Sequence, residues 1–87
     1  MYYVYILHCA DNTLYTGIAK DLQKRLKEHN TSPKGAKYTL SRRPVTLVYH
    51  EHYHDRSSAS KREYAIKKMS RGKKLEMIKT LSKTSKE

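Results

Sequence analysis

Two tyrosines near the amino terminus are spaced so that their phenols could act at one point. Tyr5 lies in the stretch YYVYIL, and Tyr15 lies with Gly17 in the stretch LYTG. If the turn between them centres on Asp11, strand pairing places Tyr5 opposite Gly17 and puts both phenols on one face. Gly17 then leaves space beside the Tyr5 phenol. Because all eight aromatic residues are tyrosines, core packing is the alternative role for each of them.

A cation and an imidazole lie on the inward side of the helix predicted for the segment DLQKRLKEHN. Leu22 and Leu26 define its apolar stripe. His29 falls within that stripe and Arg25 lies at its edge, so both groups face the sheet. A histidine at this place is compatible with a hydrogen-bonded core residue, whereas a buried arginine requires a partner for its charge.

A carboxylate has the same inward placement in the segment SSASKREYAIKKMS. Glu63 follows Ala59 by four residues and precedes Ile66 by three, so it shares their inward stripe. It either forms an ion pair with an internal cation such as Arg25 or holds a metal ion. Spacing alone favours the ion pair.

Three histidines alternate along a later apolar segment, at His50, His52 and His54. On a regular strand their imidazoles point to one side, as zinc ligands could. No cysteine or convincing fourth ligand accompanies them in the sequence. We therefore expect exposed histidines at a strand end and a fold that does not require zinc.

A basic loop with an aromatic residue is predicted for 31–44. Besides Lys34, it contains the four residues that we expect to contact nucleic acid: Lys37, Tyr38, Arg42 and Arg43. The cations could hold backbone phosphates while Tyr38 stacks on a base. A merely solvated loop is the alternative.

The pattern as a whole predicts an α/β layer structure, in which helices flank a small three-stranded sheet of antiparallel type. The expected order is ββαβαα. Strands are predicted at 2–9 and 13–19, joined by a turn at 10–12, and at 45–53. Helices are predicted from Asp21 to about Asn30, from Ser57 or Ser58 to near Gly72, and from a Ser70 cap through Leu81. We expect one domain over 1–82 and a charged, flexible tail over 83–87.

The charge of the chain indicates a polyanionic partner. Lysine and arginine total 19 against 8 acidic residues, which gives a formal net charge of +11 over 87 residues. A field of that sign attracts nucleic acid, with DNA favoured here. Cys9 is the single cysteine, and neither a basic leader nor an apolar segment of membrane-spanning length is present. These features predict a reducing, cytoplasmic location without a membrane partner.

Several of these stretches together resemble the GIY-YIG nuclease domain, in particular its small bacterial members, the UPF0213 family. The resemblance is carried by Tyr3-Val4-Tyr5, Tyr15-Thr16-Gly17, Arg25 with His29, Glu63, and the stretches LYTGIAKDLQKRLKEHN, GAKYT, RRPVTLVY and REYAIKK. The name-giving triplets are imperfect, since Tyr3 replaces the first Gly and Thr16 replaces Ile. The resemblance implies a three-stranded sheet flanked by helices and metal-dependent hydrolysis of DNA phosphodiester bonds. A DNA- or RNA-binding module of the same fold, with little or no cleavage, is the alternative.

The chemistry that the resemblance implies assigns a role to each inward polar group. Tyr5 acts as the base toward water once its pKa is lowered by its neighbours, and Tyr15 holds the water or a phosphate oxygen. Arg25 binds the phosphoryl oxygens, and His29 relays a proton or positions Tyr5. Glu63 holds one Mg²⁺, or Mn²⁺ in its place, which neutralises the leaving oxygen. Recognition by DNA structure rather than by sequence is expected.

Overall fold

A three-stranded antiparallel sheet with helices against it forms the protein, in a computed structural model that describes residues 1–32 and 37–85. Its strands are β1 (Tyr2–His8), β2 (Leu14–Ala19) and β3 (Thr46–Tyr53), in the order β2-β1-β3. Its helices are α1 (Leu22–Thr31), α2 (Lys37–Leu40), α3 (Arg56–Lys68) and α4 (Arg71–Ser85). The predicted α/β class and the order ββαβαα are confirmed. The single turn α2 is an addition within the segment predicted to be a loop, of which 33–36 lie outside the described residues.

The hairpin of β1 and β2 has the register predicted for a turn centred on Asp11. Tyr5 pairs with Gly17, and Leu7 pairs with Tyr15. The turn closes because Asn12 adopts a positive φ of 70°, which asparagine tolerates better than most residues. The Asp11 carboxylate stabilises the turn by accepting hydrogen bonds from the amide and the hydroxyl of Thr13. Both phenols are thereby fixed on one face of the sheet.

Each face of the sheet carries its own apolar core. On one face, Val4 and Ile6 pack with Ala59 and Ile66 of α3. On the other face, Tyr5 and Leu7 pack with Leu22 and Leu26 of α1. Central strand β1 is therefore buried on both sides, and its residues 4–7 are all buried. We call the two sides the α3 face and the α1 face.

An irregularity in β3 decides which of its side chains reach each face. Ile6 pairs with Tyr49 but Leu7 pairs with Leu47, so Val48 is an extra residue at a β-bulge. As a result Val48 and Tyr49 both join the core of the α3 face. Beyond the bulge, His50 and His52 pair with Tyr5 and Tyr3, and they share the α1 face with them.

The ends of the last two helices differ in part from the prediction. Asp55, not Ser57 or Ser58, caps α3, since its carboxylate accepts a hydrogen bond from the Ser58 amide at 2.7 Å. This helix ends at Lys68 rather than near Gly72, because Met69 is already extended.

Helix α4 is the last helix of the chain and extends to the end of the described residues. Ser70 caps it as predicted, accepting from the Lys73 amide at 3.3 Å. The helix continues to Ser85, so the tail predicted for 83–87 is helical as far as the structure describes it. Within the described residues, no helix is long and apolar enough to cross a membrane.

Candidate active site

The Tyr5 phenol lies directly over Gly17, as the register predicts. A Cβ atom at position 17 would stand 2.6 Å from Oη and 2.8 Å from Cζ of Tyr5. Those distances are shorter than carbon and oxygen atoms tolerate, so a side chain at this position and the observed Tyr5 rotamer exclude each other. Glycine is required here for space, and the phenol that occupies the space is only 2 % exposed.

A buried hydrogen-bonded chain runs from Tyr5 through His29 to Thr39. The Tyr5 hydroxyl lies 2.9 Å from Nε2 of His29, and Nδ1 of His29 lies 2.8 Å from Oγ1 of Thr39. His29 and Thr39 have no exposed surface. The predicted inward placement of His29 is therefore correct, and its ring joins the first strand to the segment after α1.

Burial sets the protonation of this chain. It raises the pKa of Tyr5 to about 12, with a further increase from the neighbouring Tyr15, so the expected lowering of this pKa is wrong. It also lowers the pKa of His29 to about 4, and the charge of Arg25 acts in the same direction. At neutral pH the phenol is thus protonated and the imidazole is neutral. The network then assigns Tyr5 as donor to Nε2 and leaves the imidazole proton on Nδ1, directed at Thr39.

Thr39 is the site residue that the sequence did not single out. It falls in a segment predicted to be a loop, where a threonine has no periodicity to show that it is buried. Its presence in the stretch GAKYT, which contributes to the family resemblance, is the one signal that could have directed attention to it.

Arg25 lies beside the Tyr5 hydroxyl at the edge of the buried chain. Its hydrogen bond and its charge both act to lower the pKa of that phenol, against the larger effect of burial. The side chain is 28 % exposed and donates to Oε1 of Glu28 at 3.0 Å. The guanidinium is therefore held at the rim of the site and reaches both the phenol and solvent.

The Tyr15 ring contacts the same cluster from β2. Its centroid lies 5.2 Å from that of His29 and 6.4 Å from that of Tyr5, both at tilted or edge-on angles typical of aromatic pairs. The structure thus brings together Tyr5, Tyr15, Arg25 and His29, the four residues predicted to act at one site. What they do chemically remains a prediction.

Glu63, on α3, acts on this cluster through its charge. Its charge contributes to the raised pKa of Tyr5, and its side chain is 24 % exposed. The carboxylate pairs with Lys67 at 3.2 Å, one turn later in the same helix. Because Arg25 pairs with Glu28, each of the two charges has a partner within its own helix, and no internal ion pair between Glu63 and Arg25 is needed to balance them.

The donor atoms at Glu63 fit a hydrated magnesium ion. Mg²⁺ is held by one or two carboxylates, with water and substrate phosphate completing its coordination. One partly exposed carboxylate, whose charge acts on the pKa of the phenol, matches that requirement. Among the described residues, no group of three or more histidine, cysteine or acidic side chains could hold a metal ion, so the donor set does not fit a closed zinc site.

The three alternating histidines are exposed. The imidazoles of His50 and His52 meet the Tyr3 ring edge-on, at centroid distances of 6.2 and 6.3 Å. His54 lies beyond the end of β3. The interpretation as exposed strand-end histidines agrees with this placement.

The residues predicted to contact nucleic acid have different surroundings. Lys37 is exposed, and Lys34 lies outside the described residues. Tyr38 stacks on Tyr15, with centroids 5.8 Å apart, and the Arg42 guanidinium carbon lies 4.0 Å from the Tyr38 centroid. Arg42 also forms a 2.9 Å ion pair with Asp11. Tyr38 is therefore part of the packing around Tyr15, and its stacking on a base stays a prediction.

Arg43 is engaged at the carboxyl end of α1. Its guanidinium donates to the backbone carbonyls of Glu28, His29 and Ser32. A cation at a helix carboxyl terminus satisfies carbonyls that have no partner in the helix. Arg43 thus fixes the backbone that carries His29, and any contact with nucleic acid would be additional.

A second tyrosine cluster, on the α3 face, has a packing role. Tyr49 and Tyr53 both donate to the Glu51 carboxylate, which also accepts from Arg62 at 2.9 Å. Burial alone would raise the pKa of Glu51, but these hydrogen bonds, Arg62 foremost, hold it below its ordinary value. The cluster is a satisfied structural network.

Comparison with known proteins identifies the same family as the sequence motifs. The family model described as the GIY-YIG catalytic domain matches residues 1–76. A UPF0213 protein of Desulfotalea psychrophila is 57% identical over 82 residues, covering 94% of this chain and 74% of the relative. A UPF0213 protein of Staphylococcus saprophyticus is 56% identical over 77 residues, covering 88% of this chain and 93% of the relative.

Two solved structures share the fold. The solution NMR structure of a UPF0213 protein from Bacillus halodurans has a TM-score of 0.59 at 42% identity, covering 92% of this chain and 85% of its own. The solution NMR structure of a protein from E. faecalis has a TM-score of 0.62 at 41% identity, covering 93% of this chain and 85% of its own.

Proposed function

The chain belongs to the GIY-YIG catalytic-domain family, among the UPF0213 proteins, and on that premise we propose that it is an endonuclease that hydrolyses DNA phosphodiester bonds with Mg²⁺ or Mn²⁺. The observation that carries the proposal is the buried contact between Tyr5 and a neutral His29, with Arg25 at its rim. A polyanionic substrate agrees with the net charge of +11.

Proton transfer would pass through Tyr5 rather than end on it. A phenol with a pKa of about 12 is rarely ionised at neutral pH, but it can accept a proton from water while it donates its own to Nε2 of His29. The water oxygen then bonds to phosphorus, and the bond from phosphorus to the leaving oxygen breaks. A substrate phosphate nearby raises the basicity of His29, because its negative charge favours the imidazolium.

The other residues would hold the phosphate and the water. The Arg25 fork matches two phosphoryl oxygens and can stabilise the charge that develops on them. Tyr15 borders the same space and limits where the water can lie. Glu63 would hold the divalent ion, which when bound supplies positive charge for the leaving oxygen.

A nucleic-acid-binding module with little or no cleavage is the second candidate, on DNA or RNA. The observation that favours it is the 2 % exposure of Tyr5, since a base must reach the proton that it removes. Cleavage requires that a water molecule reaches the phenol when substrate binds. A module that only binds nucleic acid has no such requirement.

The test is single-turnover cleavage of branched, nicked, single-stranded and double-stranded DNA, with and without Mg²⁺ or Mn²⁺. Glu63→Gln should fold, bind DNA and cleave at least ~10²-fold more slowly. Lys67→Gln is the matched control, because it breaks the same ion pair and keeps the carboxylate. Unchanged cleavage by folded Glu63→Gln, or an equal loss in Lys67→Gln, would contradict the role of Glu63. Binding without cleavage of any substrate would favour the second candidate.

A further inference from the structure

Two adjacent hollows lie at the end of β2, next to the candidate site. The first, of about 260 Å³, is bounded by Arg25, Lys24 and Glu28 of α1. The second, of about 250 Å³, is bounded by Tyr2 and Arg56. Both also include Ile18, Ala19 and Lys20. The two hollows meet at these three residues and are together called the β2 groove, which extends from Arg25 past Lys20 to the amino end of α3.

The β2 groove has more cations than its own acids can neutralise. Asp21 is occupied as the cap of α1, where it accepts from the Lys24 amide at 3.0 Å, and Glu28 pairs with Arg25. Lys20, Lys24 and Arg56 are exposed, and no carboxylate within the described part of the chain forms an ion pair with them. The Lys20 ammonium is instead held 5.3 Å from the Tyr2 ring. The groove therefore carries a net positive charge.

The groove is close enough to the Tyr5 phenol for one nucleic-acid strand to contact both. Lys20 follows Gly17 by three residues, which is roughly 10 Å along an extended chain. A phosphate bound beside Tyr5 would place the phosphates of neighbouring nucleotides, at about 3.4 Å of rise each, over the groove within about three positions. The cations are therefore spaced for a strand that continues from the site.

We propose that the β2 groove holds the phosphate backbone of the nucleic acid on one side of the scissile bond, with Lys20 and Arg56 as contacts beyond Arg25. This inference rests on the proposed function. It assigns the strand's path to the β2 end of the sheet. The contacts are electrostatic, so they supply affinity without sequence preference.

The experiment measures the salt dependence of binding to a short fluorescent DNA duplex between about 50 and 200 mM NaCl. Lys20→Gln with Arg56→Gln should lower the slope of log K against log salt by roughly 1.8, because each lost phosphate contact removes about 0.9. Affinity at intermediate salt should fall by about tenfold or more. The control, Lys73→Gln with Lys79→Gln on α4, removes the same charge and should leave the slope near the wild-type value. Lys20→Gln alone, which leaves the Arg56 contact in place, provides a second variant with a slope lowered by about 0.9.

The outcomes separate the two proposals. A wild-type protein that does not bind the duplex at low salt would overturn the proposed function. A wild-type protein that binds with a steep slope, while the groove variant behaves as the α4 control does, would overturn the groove and leave the function standing. Normal duplex binding by the groove variant, with lost binding to vesicles of anionic lipid, would also overturn the proposal and reassign the groove to a membrane surface.

Discussion

Acid should destabilise this protein through His29 before its carboxylates are protonated. Burial, followed by the charge of Arg25, lowers the pKa of His29 from 6.5 to about 4. Below about pH 6.5 the unfolded chain therefore binds a proton that the folded chain does not. The stabilisation is complete above the unfolded-state pKa and is lost as the pH falls toward the folded-state pKa. A gap of about 2.5 units corresponds to a loss of about 3 kcal/mol between about pH 7 and pH 4.

The carboxylates act in a lower window. The pKa values of Asp11, Glu51 and Asp55 lie below their ordinary values of 3.8, 4.5 and 3.8. Their contributions are present above those ordinary values and are lost only as the pH falls through the lowered ones. Loss of stability above about pH 4.5 can therefore be assigned to the buried imidazole.

Urea unfolding followed by circular dichroism at a series of pH values measures the effect. His29→Gln should remove most of the dependence between about pH 6.5 and 4.5, whatever its absolute stability. His52→Gln is the matched control, because that imidazole is exposed, and should keep the wild-type slope. If the free energy of unfolding of the wild type is constant across this window, or if NMR shows the His29 ring titrating near pH 6.5, the assignment of a neutral buried imidazole is wrong.

The remaining predictions concern packing and metal. Gly17→Ala should cost about 1–3 kcal/mol in urea unfolding, and less when combined with Tyr5→Phe, because the closest clash is with the hydroxyl; equal costs in both backgrounds would refute the clash. Tyr38→Ala should lower the free energy of unfolding by about 1 kcal/mol and Tyr38→Phe by much less, since the ring contacts with Tyr15 and Arg42 do the work; equal losses would refute that. EDTA should leave the melting temperature unchanged, and a large decrease would indicate a structural metal site.

The geometry of the hairpin and of α1 could be predicted because both depend on short-range rules. Turn length fixed which residue stands opposite Tyr5, and a period of 3.6 residues placed His29 inward and Arg25 at the edge. Each prediction needed only local sequence, so tertiary packing had little opportunity to change it. The structure agrees at these positions.

Features that depend on contacts distant in sequence could not be predicted. Thr39 belongs to the site because its segment folds back onto α1. No local sequence pattern predicts this contact. The start of α3 was misplaced because Asp55, Ser57 and Ser58 are all good cap residues, and only the end of β3 decides between them. The choice between an internal ion pair with Arg25 and a metal ion at Glu63 could not be predicted either, because it depends on how α1 and α3 lie across the sheet; in the structure Glu63 pairs with Lys67.

The β-bulge that leaves Val48 unpaired determines the sign of the charge beside the candidate site. If Val48 instead took a paired position in a regular strand, alternation from Leu47 would turn Glu51 toward the α1 face and the two imidazoles of β3 toward the α3 face. A carboxylate would then repel any polyanion approaching Tyr5, and Arg62 would lose its partner. The bulge thus keeps the Glu51 carboxylate on the α3 face and two imidazoles on the α1 face. Deleting Val48 should therefore leave the electrostatic character of both surfaces unchanged, because Leu47 and Tyr49 already pair with the adjacent β1 residues Leu7 and Ile6.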